Sequence, residues 1–232
     1  MVLSRLTMAA VLLPAAALCQ EDAAPRVVTP GQGDAPPSDA VVLFNGKDMS
    51  GWLSTAGGPS RWKVENGEML CVTYTGSAYT ERKFGSAQIH LEFKVPDMPQ
   101  HKGQLKGNSG VYLGGATEIQ ILDGYNNPTY ALGVVGAIYN QHPPLVNASR
   151  KPGEWQTCDI VYHAPVCDSQ GAVREEGTVT LFLNGVLVQD HAGLKTREEM
   201  CQPGPLLLQD HSGFKGAPVT EIRFRNLWSR PL

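Results

Sequence analysis

Alternation constrains this chain more than any other feature. Apolar and polar residues exchange places at every second position over much of its length, and no stretch sustains a helical period. Gln88 to Val95 reads Q-I-H-L-E-F-K-V, with Ile89, Leu91, Phe93 and Val95 on one face and Gln88, His90, Glu92 and Lys94 on the other. Thr178 to Leu183 buries Val179, Leu181 and Leu183 by the same rule, and Glu221 to Phe224 turns Ile222 and Phe224 inward. Asn184-Gly185 separates two apolar runs and predicts a tight hairpin, because both turn positions need a left-handed backbone. Asn45-Gly46, Asn66-Gly67 and Gly114-Gly115 punctuate other runs. The one helical candidate is a short turn near Thr196 to Met200. Strands with one apolar face each, joined by short turns, predict an all-β fold: two antiparallel sheets packed face to face, best fitted by a jelly roll. The missing crossover helices exclude a parallel α/β architecture.

The ends of the chain set the domain plan. Met1 to Thr7 carries one positive charge, Arg5; an apolar stretch from Met8 to Leu18 and a run of alanines follow. This pattern predicts a secretory signal peptide over residues 1–19, too short to span a bilayer. The rival is a lipoprotein leader acylated at Cys19, which Leu18 disfavours because a small residue is usual there. Residues 20–40 are rich in Ala, Pro and Gly and predict a flexible tether. One domain, residues 41–232, should follow, with no internal repeat. The expectation is an exported protein, periplasmic or extracellular, with no transmembrane segment and an oligomeric state left open.

Export alters the reading of cysteine. Cys71, Cys158, Cys167 and Cys201 are an even set, compatible with three pairings in an oxidising compartment. Cys167 and Cys201 both fall in Pro-flanked loops and could bridge; free buried thiols are the competing reading. No CxxC pair or His-rich cluster suggests structural zinc. The net charge of −3 and the lack of a Lys/Arg run exclude a nucleic-acid partner.

Chemistry must come from the faces turned away from the core. Thr117 to Asp123 reads T-E-I-Q-I-L-D, so Glu118 and Gln120 sit together opposite Ile119 and Ile121. Asn108 and Tyr112 share a face, as do Gln209 and His211, and Arg223 and Arg225. Asp123, beside Gly124, is a candidate with a competing role at a strand end. A sheet face bearing carboxylate, amides, imidazole, guanidinium and phenol suits a small-molecule carbohydrate, whose hydroxyls seek planar polar partners and aromatic faces. A solvated sheet face is the bland alternative for each residue singly. Trp62, Trp155 and Trp228 read as structural anchors, and His163 and His191 as surface residues. Asn147-Ala148-Ser149 is a glycosylation sequon, meaningful only in a eukaryotic secretory pathway.

The runs G-N-S-G-V-Y (107–112), E-I-Q-I-L-D (118–123), G-A-I-Y (136–139), P-P-L-V-N-A-S-R-K-P-G-E-W-Q-T (143–157), G-P-L-L-L-Q-D-H (204–211) and R-F-R-N-L-W (223–228) occur in this order, after F-N-G-K-D-M-S-G-W (44–52). As an ordered set they resemble the bacterial 3-keto-disaccharide hydrolase family, over nearly all of residues 41–232. The resemblance implies a concanavalin A-like, laminarinase-type jelly roll acting on glycosides oxidised to a ketone at carbon 3. A ketone there acidifies the hydrogen at carbon 2, so a base, donors for an enediolate and an acid for the leaving group suffice. Glu118 and His211 are the expected acid/base pair. Asn108, Tyr112, Gln120, Asp123, Tyr139, Gln209, Arg223 and Arg225 are the expected substrate contacts. No cofactor is required; a divalent metal on Glu118, Asp123 and His211 is a further possibility. A non-catalytic carbohydrate-binding module on the same sandwich is the alternative. The chain departs from the family at Ala116-Thr117, where Arg-Tyr is usual, at Cys158, where an aromatic is usual, and in an inserted-looking segment from Ser212 to Glu221.

Overall fold

The computed structural model describes residues 24–33, 35–213 and 216–232; the expected leader, Cys19 and the start of the tether lie outside these. In chain order the strands are β1 (Val41–Val42), β2 (Trp52–Ser54), β3 (Lys63–Glu65), β4 (Glu68–Leu70) and β5 (Ala78–Phe84). Next come β6 (Ala87–Lys94), β7 (Asn108–Leu113), β8 (Thr117–Leu122), β9 (Gln156–His163) and β10 (Val166–Cys167). The last are β11 (Val173–Glu175), β12 (Thr178–Leu183), β13 (Val186–Gly193), β14 (Gly204–Leu208) and β15 (Arg223–Pro231). One sheet runs β13-β12-β9-β6-β15-β4-β3 with β1 added on β15; the other runs β2-β5-β14-β7-β8; β10 and β11 form a separate hairpin. All pairings are antiparallel, and the two sheets make the expected sandwich.

The core follows the alternation. Ile89, Leu91 and Phe93 of β6, Val179, Leu181 and Leu183 of β12 and Phe224 of β15 join Val111, Leu113, Ile119, Ile121, Leu206 and Leu208 of the facing sheet in one buried cluster. Burial of each such side chain is worth about 1.5–3 kcal/mol, and truncating one to alanine costs roughly 2–5 kcal/mol. At the predicted hairpin, Leu183 pairs with Val186, and Asn184 and Gly185 take φ of 53° and 79°, as a type I′ turn requires.

Several expectations change in detail. The turn near Thr196 to Met200 is a 3-10 turn at Glu198–Cys201, and three more such turns lie at Gly103–Leu105, Ala131–Gly133 and His211–Gly213. Segments this short carry no readable period. Cys167 is bridged to Cys201, while Cys71 and Cys158 are buried free thiols whose pKa burial pushes up. The tether's last residues are held: Ser38 N–H donates to Thr29 C=O at 3.0 Å, and Asp39 pairs with Arg26 and, at 2.7 Å, with Arg230. No helix among the described residues is long and apolar enough to cross a membrane.

Candidate functional site

The site is built on the outer face of the smaller sheet. Tyr112 of β7 pairs with Glu118 of β8, Gly110 pairs with Gln120, and Leu207 of β14 pairs with Tyr112. Just past β14, Gln209 N–H donates to Gly110 C=O at 2.9 Å. Asn108, Tyr112, Glu118, Gln120 and Gln209 therefore converge on one surface, where His211 and Tyr139 join them around an open pocket of about 320 Å³.

Each element reaches this place for a local reason. The loop carrying Tyr139 lies along β8 almost as a further strand: Gly136 N–H donates to Gln120 C=O, and Tyr139 N–H to Glu118 C=O, both at 2.9 Å. His211 was expected on the β14 strand, but the strand ends at Leu208; the imidazole comes instead from the 3-10 turn that follows. That turn is held by Asp210, whose Oδ1 accepts the Ser212 N–H at 3.0 Å. Gly110 leaves the space that Glu118 occupies. A Cβ there would stand 2.9 Å from Glu118 Cδ and Cγ, and nearer still to Oε1.

The electrostatics are unequal. Burial raises the Glu118 carboxyl to about 7, only partly opposed by the hydrogen bond from Tyr112. Burial lowers the His211 imidazole below its ordinary 6.5, partly opposed by Asp210. The Tyr112 hydroxyl also accepts the Gln209 Nε2 donor at 3.0 Å, and burial and the adjacent Glu118 keep that phenol protonated. Near neutral pH the pocket thus offers a carboxyl able to give a proton and an imidazole able to take one.

The amides form a brace. Gln120 Nε2 donates to Asn108 Oδ1 at 3.2 Å and to Gln104 Oε1 at 3.1 Å, and Asn108 Nδ2 donates to Gln104 C=O at 2.9 Å. Gln104 is tied in turn to Gly133 C=O at 2.8 Å. Sequence reasoning missed Gln104 and Leu105, which stand on a 3-10 turn without a pattern, and Ala217, which lies within the inserted-looking segment. The outward position of Gly110 in G-N-S-G-V-Y was the signal available for its role.

Three expected contacts lie elsewhere. Arg223 and Arg225 are on β15, in the larger sheet. Arg223 pairs with Glu65 and Glu68 at 3.1 Å each, and Arg225 with the buried Glu92 at 2.7 Å, stacking on Trp155. Parity correctly turned them off the core, but parity does not say which of two sheets a strand joins. Asp123 is buried at the end of β8, ion-paired with Lys106 at 2.7 Å and accepting the Tyr125 N–H, away from the pocket. A metal shared by Glu118, Asp123 and His211 therefore lacks one of its three ligands. Among the described residues no three His, Cys, Asp or Glu groups gather to hold an ion.

A second recess of about 480 Å³ adjoins the first, and Tyr112, Glu118 and Tyr139 line both. Glu118 thus borders both spaces, together with the two tyrosines. Ala116, where the chain departs from the resembled pattern, lines this second recess, while Thr117 is buried against Met200.

Similar proteins fit this geometry. A candidate glycosyl hydrolase from Parabacteroides distasonis ATCC 8503 shares 42% sequence identity, over 91% of this chain and 93% of its own, with a TM-score of 0.84. A second from that organism shares 20% identity, over 84% of this chain and 94% of its own, with a TM-score of 0.62. Alginate lyase Aly36B, crystallised as a mutant with an alginate trisaccharide, shares 10% over 83% of this chain and 97% of its own, with a TM-score of 0.50. These last two likenesses show the fold alone. No match is found among curated proteins. Residues 39–230 match the sequence model of the 3-keto-alpha-glucoside-1,2-lyase-like domain. The chain belongs to the 3-keto-alpha-glucoside-1,2-lyase-like family, the 3-keto-disaccharide hydrolases.

Proposed function

We propose that this protein is a carbohydrate-active enzyme that cleaves the glycosidic bond of 3-keto-glycosides, with Glu118 and His211 as its acid and base. Family membership supports a carbohydrate substrate. The observation that carries the finer reading is Glu118: a carboxyl raised to about 7, bordering two recesses. A bond joining two units bound in those recesses would pass along the lining they share, which includes this carboxyl. His211 lines the first recess alone, beside the ring that would carry the ketone.

The chemistry divides accordingly. The neutral His211 imidazole takes the proton from carbon 2, and the electron pair delocalises onto the carbon 3 oxygen. The Tyr139 hydroxyl, which accepts from Tyr130, and the second N–H of the Gln209 amide would meet that developing charge. When the carbonyl re-forms, a double bond forms between carbons 1 and 2 and the bond from carbon 1 to the leaving oxygen breaks. That oxygen takes the Glu118 proton. The products are a 1,2-unsaturated 3-keto sugar and a free alcohol; addition of water to the former would give net hydrolysis. An ordinary glycosidase needs two carboxylates flanking the bond, and the first recess supplies one. The leader pattern and the Cys167–Cys201 bridge support action outside the cytoplasm.

The test is incubation of the purified protein with 3-keto-lactose, 3-keto-trehalose and their unoxidised parents, followed by analysis of released monosaccharide. Release from the keto sugars alone is expected. Binding without release would move the protein to the carbohydrate-binding class, and equal cleavage of the parents would remove the keto route.

A further inference from the structure

The second recess is differently furnished from the first. Amides, an imidazole and tyrosines line the first; Lys195 and Arg197 line the second, with Asn140 and Gln141 beside them. From these cations, in the recess that His211 does not line, we infer that the leaving unit of the substrate carries an anionic group, a carboxylate or a phosphate. The inference rests on the proposed cleavage only for the words "leaving unit"; the binding preference stands without it.

The cations are carried on a strap fixed at both ends. Leu194 is buried and its N–H donates to Gly177 C=O at 2.8 Å. Lys195 N–H donates to the Gln141 side chain at 2.8 Å, which draws the strap against the loop bearing Tyr139. Met200 is buried beside Thr117 of β8, and Cys201 is bridged to Cys167. The segment from Lys195 to Arg197 therefore has little freedom to leave the recess, although its side chains meet solvent.

Nearby acids do not cancel this charge. Arg197 reaches Glu199 only at 3.6 Å, and both are largely exposed, so that pair is weak and exchangeable. Glu176 accepts the Thr196 N–H at 3.2 Å and so spends one carboxylate oxygen on backbone. Glu118 faces the recess, but its burial, only partly opposed by the hydrogen bond from Tyr112, reduces its share of negative charge near neutral pH. An anion placed between Lys195 and Arg197 meets charge-assisted donors, and the guanidinium can engage two oxygens at once.

The experiment uses the mature chain and unreactive probes, so it does not depend on catalysis. Calorimetric titration with lactose, lactobionate and lactose 1-phosphate compares a neutral unit with a carboxylate and a phosphate at the same end. At low salt at least one anionic probe should bind about tenfold tighter than lactose, and the stronger of the two names the group. The preference should shrink at 0.5 M NaCl, vanish in Lys195→Ala/Arg197→Ala, invert in Arg197→Glu, and persist in Lys195→Arg. Melting curves check that each variant is folded; if the double variant is not, Arg197→Gln replaces it. Equal binding of all three probes, no binding by either anionic probe, or a preference surviving the double variant would overturn the inference. If 3-keto-lactose is cleaved but no charge preference is seen, the proposed function stands and this inference falls. With the preference present and no cleavage, the reverse holds.

Discussion

Gly110→Ala should leave the fold standing and damage the site. Gly110 lies in the middle of β7 with an ordinary extended backbone, so alanine is not strained there; exchanging glycine for alanine in a strand gains roughly 0.5–1 kcal/mol. The added Cβ would meet Glu118 Cδ and Cγ at 2.9 Å, inside the closest approach that real Cβ atoms make. The obstructed group is the far end of a flexible side chain, so the carboxylate moves and the sheet does not. The net change in stability should stay within about 1 kcal/mol. Displacement of a reacting group by about 1 Å can cost on the order of 100-fold in rate, and that is the loss expected here. The displaced carboxyl should also meet more water, so its pKa falls from about 7 toward 4.5. Melting curves, turnover of 3-keto-lactose and a titration of the Glu118 carboxyl by NMR read the three consequences separately. A Gly110→Ala protein with full turnover would refute the claim that Gly110 exists to seat Glu118, and a large fall in melting temperature would show that the strand itself needs the glycine.

The pH dependence of kcat/KM should be a bell. His211 must be neutral, which places the rising limb below pH 6.5, and Glu118 must be protonated, which places the falling limb near pH 7; a rate still climbing through pH 8 would assign Glu118 as the base. Glu118→Gln should stabilise the protein at pH 8 by about 3 kcal/mol at most. The folded carboxyl is raised from 4.5 to about 7, so the wild type loses stability as pH rises through that interval, and the gain should be absent below pH 4.5 in urea melts. Arg225→Ala should cost about 1–3 kcal/mol, because it withdraws one partner from the buried Glu92, and should leave turnover within a few-fold. A collapse of turnover in a folded Arg225→Ala protein would reinstate it in the site.

The sandwich was readable because period 2 is a local signal with a physical cause. Ile89, Leu91, Phe93, Val179, Leu181 and Leu183 alternate because one face of each strand meets the other sheet, and all are buried. Residue parity also brought Asn108, Tyr112, Glu118, Gln120 and Gln209 to the outer side. What alternation cannot carry is the pairing of strands far apart in sequence. Arg223 and Glu118 obey the same rule, yet β15 lies beside β6 and β4 while β8 lies beside β7. Gln104, His211 and Lys195 come from loops and turns, where position depends on anchors distant in sequence: Gly133 for Gln104, Gln141 for Lys195. The near-neutral carboxyl at Glu118 was equally invisible, because it arises from burial by neighbours that only the fold assembles.

The central claim is that cleavage proceeds through removal of the proton at carbon 2, with Glu118 serving the leaving oxygen. The direct measurement compares turnover of 3-keto-lactose with its carbon 2 deuterated form, in the wild type and in Glu118→Gln. The account predicts slower turnover of the deuterated sugar by the wild type, and a loss of roughly 10²–10⁴-fold in Glu118→Gln. Equal rates for the two isotopes together with an active Glu118→Gln protein would contradict it.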